Sequence, residues 1–182
     1  MKLAHPTEHT TDGVPGHTPS QGEPENGWCI LRSNRLLQTL SRKEAKRLLD
    51  NAQWLRFTPE KVVVQQGRPV DAVFFVIHGK AAAVIEVPLP GSQDFGAIVH
   101  FLGPGADIGL LSLVDGAPHL ATVTALGDLE VVAVPVDALQ QCLRSRPSRY
   151  RVLAQVAVES LRTYQRAFRQ GWERVEGRQI IC

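Results

Sequence analysis

Between Trp54 and Pro135 the apolar residues fall in short runs, at 54–57, 61–64, 72–77, 81–87, 96–102, 120–126 and 129–134. Turn formers separate them: Thr58-Pro59, Gly67-Arg68-Pro69, His78-Gly79, Pro88-Leu89-Pro90-Gly91 and Gly103-Pro104-Gly105. Short β-rich runs with Gly/Pro punctuation predict an antiparallel sandwich, barrel or roll. Residues 110–114 follow Gly109 and are too few for a paired strand, so they read as a single helical turn.

Outside this region the period changes to that of a helix. Leu36, Leu37 and Leu40 precede Ser41-Arg42-Lys43-Glu44, a capping box in which serine and glutamate close a helix start reciprocally. That helix runs to about Asn51, with Ala45, Leu48 and Leu49 on its inward face. Residues 136–143 predict a short helix and 149–176 a long one. Heptad counting along the long helix puts Ala154, Leu161, Phe168 and Val175 at one seam position. Tyr150, Ala157, Tyr164 and Gly171 take the other, with Trp172 beside them. A helix of this length spans about 42 Å, more than packing on one small domain requires. The reading is therefore a homodimer through this helix, against the plainer one of a helix packed on its own β domain.

The predicted organisation is an unstructured tail over 1–27, a β-roll with its leading helix over 28–142, and a dimerisation helix over 143–182, with order starting near Trp28. The fold class is mainly β with flanking helices: an antiparallel, jelly-roll-like β-roll plus a long C-terminal helix. All 182 residues suit one domain with short appendages. With 43% hydrophobic and 21% charged residues, the balance is that of a globular protein with a real core. No apolar run approaches ~18 residues and the N-terminus lacks a secretory signal, so the expected location is the cytoplasm, without a membrane span. Cys29, Cys142 and Cys182 match no disulfide framework or metal pattern and read as reduced thiols. His5, His9 and His17 read as solvated tail histidines, and no metal site is expected.

Charge sharpens this division. The first 27 residues carry Lys2 against Glu8, Asp12, Glu23 and Glu25, whereas nine of the fifteen arginines follow residue 142. Arg151, Arg162, Arg166, Arg169 and Arg174 share the outer face of the long helix, diluted by Glu159 and Glu173. Without aromatic interleaving or a groove-reading element, direct nucleic-acid binding is not expected.

The order of elements resembles the cyclic nucleotide-binding domain of the catabolite activator and protein kinase A regulatory families. The carriers are the leucine-rich helix, Val62-Val63-Val64-Gln65-Gln66-Gly67, Gly79-Lys80, and above all residues 108–123. This last stretch is similar, without gaps, to the cassette that grips the nucleotide phosphate, and the resemblance covers roughly residues 30–176. It implies a ligand site at Ile108, Gly109, Leu110, Leu111, Pro118, His119, Leu120 and Ala121. Gly67 and Gly79 are expected to close hairpins at positive φ, and Gly109 to let backbone amides approach an anion.

The cassette departs from the family at two places. The family pattern Gly-Glu-Leu is here Gly109-Leu110-Leu111, and Pro-Arg-Ala is here Pro118-His119-Leu120-Ala121. The resemblance implies that the missing glutamate would accept from the ribose hydroxyl and the missing arginine would pair with the cyclic phosphate. Each charge-assisted hydrogen bond is worth about 1.5–3 kcal/mol, so both together are worth on the order of a hundred- to ten-thousandfold in affinity. His119 offers one donor when neutral and pairs with phosphate only when protonated. His78 and His100 read as structural residues, and Glu86 and Asp94 as solvated loop carboxylates.

The functional reading is a regulatory sensor with an atypical pocket that does not hold cyclic AMP tightly and signals through its long helix to a partner protein. No cofactor is expected; an atypical cyclic nucleotide or another small anion is the occupant left open. The alternative is a ligand-free scaffold for dimerisation and protein–protein interaction. An enzyme is not expected: no nucleophile–base spacing, Walker-type loop or cleft-forming carboxylate pair is present. Family transcription factors carry a helix-turn-helix after the long helix; residues 177–182 fall short of the about 20 residues it needs.

Overall fold

The computed structural model describes the backbone of residues 17–19, 31–88 and 95–176, with side chains for 31–86 and 100–166. Trp28, Cys29, Cys182, His5, His9, Asp94 and the side chains of Phe168, Arg169, Gly171, Trp172, Arg174 and Val175 lie outside these limits.

Nine strands are present among the described residues: β1 His17–Pro19, β2 Gln53–Phe57, β3 Val62–Val64, β4 Ala72–His78, β5 Ala81–Pro88, β6 Phe95–Leu102, β7 Asp107–Ile108, β8 Thr122–Ala125 and β9 Leu129–Pro135. One antiparallel sheet has the order β1-β2-β9-β4-β7 and the other β3-β8-β5-β6. The helices are α1 Arg42–Leu49, α2 Leu110–Asp115, α3 Val136–Ser145 and α4 Ser148–Glu176. Each sequence-predicted element is found. Two strands were not foreseen: the two-residue β7, which pairs with β4, and, within the stretch read as a tail, His17–Pro19, which pairs with β2, His17 opposite Phe57.

Two cores account for the unbroken apolar run of β4. Phe74 and Val76 point between the sheets with Leu55, Phe57, Val123 and Val131. Val73, Phe75 and Ile77 point the other way, under a layer of Leu36, Leu37, Leu48, Leu139, Leu143 and Leu153. A strand buried on both faces has no polar positions to alternate with. On the second sheet, among the described residues, Phe101 stands outward, opposite Ala82, and is 66% exposed.

The capping box forms as read: Ser41 N donates to Glu44 Oε2 at 2.9 Å and Glu44 N to Ser41 Oγ at 3.4 Å. Gly67 and Gly79 have φ of +80° and +87°. Neither closes a hairpin, however, because β3 and β5 belong to one sheet and β4 to the other. Each turn instead carries the chain from sheet to sheet. At Gly79 a Cβ would lie 2.2 Å from the Asp128 carbonyl oxygen, so backbone proximity as well as φ excludes a side chain.

Helix α4 lies on the roll, and its burial pattern corrects part of the heptad reading. Leu153, Val156 and Ala157 are buried, and Tyr164 packs on the inter-sheet core. Among the described residues of α4, the large apolar side chains left outside are Tyr150, Val158 and Leu161, with exposed Ala154 between them. Ala157 and Tyr164 therefore serve the chain's own core, and Val158 joins the outer stripe. Heptad spacing records that positions share a face, not which neighbour that face meets.

Candidate functional site

The cassette is built from a short strand, a glycine and one and a half helical turns. Strand β7 ends at Ile108, Gly109 takes φ +91°, and α2 starts at Leu110. Gly116, again left-handed, ends α2, and the chain returns through Pro118 and His119 to β8. Two backbone bonds fix the return: His119 N donates to Arg68 O at 2.8 Å and Gly67 N donates to His119 O at 2.9 Å. Ser112 Oγ donates to Pro118 O at 3.0 Å, closing the loop on α2.

Under this cassette lies a cavity of about 250 Å³. Of the residues singled out in the sequence, Ile108, Gly109, Leu110, Leu111, His119, Leu120 and Ala121 line it. Pro118 does not; it borders a separate hollow with Pro69, Val70 and Gln140. Leu110 is also wedged into the helix-side core beside Phe75 and Leu139, at 1% exposure.

The rest of the wall was not found by sequence reasoning. It includes His100 on β6, Asp107 on β7, and Val156, Glu159, Ser160, Thr163 and Tyr164 on α4, with Val64, Leu102, Ala106, Ser112 and Val123 between them. The only signal for the α4 residues was the heptad pattern, which assigned Tyr164 to another helix.

Burial governs the electrostatics here. The His119 side chain is 6% exposed, and desolvation lowers its pKa below the usual 6.5 against a weaker opposing pull from Asp71, so the ring is neutral at pH 7. No protein group hydrogen-bonds this imidazole among the described residues. A Cβ on Gly109 would lie 3.1 Å from His119 Cε1, which places the ring directly over the cassette glycine. Burial likewise lowers His100, whose ring meets Tyr164 edge-on at 5.7 Å.

Asp107 is raised to about 6, chiefly by desolvation, with the Asn34 hydrogen bond opposing. Asn34 Nδ2 donates to Asp107 Oδ2 at 3.3 Å, while Asn34 Oδ1 accepts from the amides of Leu36 and Leu37. Glu159 is neutralised at the rim by Arg35, which also reaches Gln155. No lysine or arginine is among the described lining residues, and no group of three potential metal ligands exists among the described residues.

A family model, the cyclic nucleotide-binding domain, matches residues 54–146, half of the chain. The chain belongs to the cyclic nucleotide-binding domain family. It is 29% identical over 98 residues to a cAMP-dependent protein kinase regulatory subunit of Dictyostelium discoideum, covering 54% of this chain and 30% of that protein. It is 25% identical over 133 residues to a CRP-like cAMP-activated global transcriptional regulator of Mycobacterium tuberculosis, covering 73% and 58%. The chain thus spans less than two thirds of these relatives. In fold it matches the regulatory domain of Toxoplasma gondii PKA, solved with cAMP, at a TM-score of 0.61 and 24% identity, covering 72% of this chain and 48% of that one. The family's β-roll with its C-terminal helix is therefore the architecture found here. No helix among the described residues is long and apolar enough to cross a membrane.

Proposed function

We propose that this cyclic nucleotide-binding domain is the sensing part of a regulatory protein whose pocket has lost its grip on cyclic AMP. The observation that carries this reading is the neutral His119 ring buried over Gly109, where the family's arginine would meet the phosphate. Leu110 replaces the family's carboxylate and is committed to the core. An anion entering this cavity meets no fixed positive side chain among the described lining residues.

Signalling through α4 is supported by the wall itself: five residues of α4, Val156 to Tyr164, border the cavity, so an occupant touches the helix directly. The outer stripe of Tyr150, Ala154, Val158 and Leu161 is the surface on which a second copy would pair, and a partner protein would read the paired helices. The scaffold alternative needs a pocket filled by its own leucines. A cavity of about 250 Å³ favours the sensor.

Titration calorimetry with cyclic AMP, cyclic GMP and cyclic dinucleotides tests this reading. The expected result is no saturable heat from cyclic AMP in the micromolar range. His119→Arg is the smaller of two restoring steps and is expected to raise cyclic AMP affinity by roughly tenfold or more, one charge-assisted bond.

A further inference from the structure

The cavity wall holds two polar groups with bonding capacity left over among the described residues. His119 is buried, neutral, and without a hydrogen-bond partner among the described residues. Asp107 has one side-chain partner, the Asn34 amide, and no cation within ion-pairing distance among the described residues. Glu159 differs, since Arg35 already pairs with it. Withdrawing a carboxylate from water without a cation works against folding, and the same desolvation raises its pKa to about 6. Such a group is retained at a cost to stability, which marks sites that bind something.

Among the described lining residues the hydroxyls of Ser112, Ser160 and Thr163 and the His100 ring add neutral polarity, while Leu102, Ile108, Val123 and the Tyr164 ring, whose face suits a cation, supply an apolar frame. We infer that the cavity takes a small cationic amine on an apolar or aromatic frame, its ammonium group on Asp107 and its frame against Tyr164, with His119 free to bond a polar group at the far end. This rests on the sensor reading above and names the ligand class of the same site. It reverses the charge of the family's ligand, in keeping with a wall that holds an unpaired carboxylate and no arginine.

A charge series on one frame tests it: tryptamine, tryptophol and indole-3-acetate, each titrated calorimetrically into the full chain, with cyclic AMP as a separate arm. Tryptamine is expected to bind roughly ten- to hundredfold more tightly than tryptophol, and indole-3-acetate most weakly. Asp107→Asn should erase the advantage of tryptamine over tryptophol while leaving tryptophol binding in place. Because the series is run on the unaltered protein, it does not depend on how well the variant folds. Indole-3-acetate binding as tightly as tryptamine, or no binding of any member at millimolar concentration, overturns the inference. Micromolar capture of cyclic AMP instead overturns the sensor reading beneath it, so the two failures are told apart.

Discussion

Arg149, the second residue of α4, donates through Nη2 to Glu44 Oε2 in α1 at 2.7 Å, across 105 positions of sequence. The guanidinium is 2% exposed and also bonds Cys142 O at 2.7 Å, Ser145 Oγ at 2.9 Å and Thr39 O at 3.3 Å. Glu44 meanwhile closes the capping box with Ser41. One carboxylate thus finishes α1 and anchors the joint where α3 passes into α4.

Removing that carboxylate leaves a buried cation unpaired. Glu44→Ala is expected to lower unfolding stability by about 3 kcal/mol at pH 7, measured by urea denaturation. The Arg149 bond, and then those of Ser41, hold the Glu44 carboxyl at about 2, below its usual 4.5. Its contribution is therefore complete above pH 4.5 and lost as pH falls toward 2. The gap between wild type and Glu44→Ala should narrow over that window.

Asp107 has the opposite sign. Its pKa is raised from 3.8 to about 6, so its acid form is the comfortable one and stability drains away as pH rises between those values. Asp107→Asn keeps an acceptor for Asn34 and removes the charge. At pH 7 it is expected to be more stable than wild type, on the order of 2 kcal/mol, with the difference vanishing near pH 4. A thermal or urea melt at both pH values checks this. Equal stability at pH 7 would count against a desolvated carboxylate that has the Asn34 amide but no cation beside it.

At Gly109, φ +91° and the His119 ring, which a Cβ would meet at 3.1 Å, act together against a side chain. Gly109→Ala is expected to cost about 1–2 kcal/mol from backbone strain and to push the imidazole off its seat. In the background of His119→Ala the contact is gone but the strain stays, so the second penalty should be smaller yet not zero. A double-mutant cycle read by urea unfolding measures the coupling.

The outer stripe of α4 gives a prediction about assembly. Leu161 is 52% exposed, so Leu161→Glu is expected to leave the fold intact and to weaken self-association by at least about tenfold, followed by sedimentation velocity. Ala157 and Tyr164 face the roll, and substitutions there should destabilise the monomer instead.

How far the sequence carried the structure depended on the range of the interactions. The Ser41–Glu44 box, the helical turn after Gly109 and the strand runs are local patterns, and all were legible. The link from Glu44 to Arg149 was not, since nothing local distinguishes a carboxylate with one partner from one with two. Heptad spacing placed Ala157 and Tyr164 on a seam but could not tell the chain's own core from a second helix. The cassette itself could be read off residues 108–121, whereas the parts of the wall from His100 and Tyr164 depend on how β6 and α4 fold back over it. The His119 substitution was visible in the sequence; the burial that lowers its pKa further was not.

Leu110 and His119 leave no charged anchor for the ribose hydroxyl and the cyclic phosphate of a cyclic nucleotide. Titration calorimetry of the unaltered chain with cyclic AMP at pH 7 tests it most directly. The account predicts no saturable binding until roughly millimolar concentration, from the loss of two charge-assisted bonds. Stoichiometric binding with a micromolar or lower dissociation constant would contradict it.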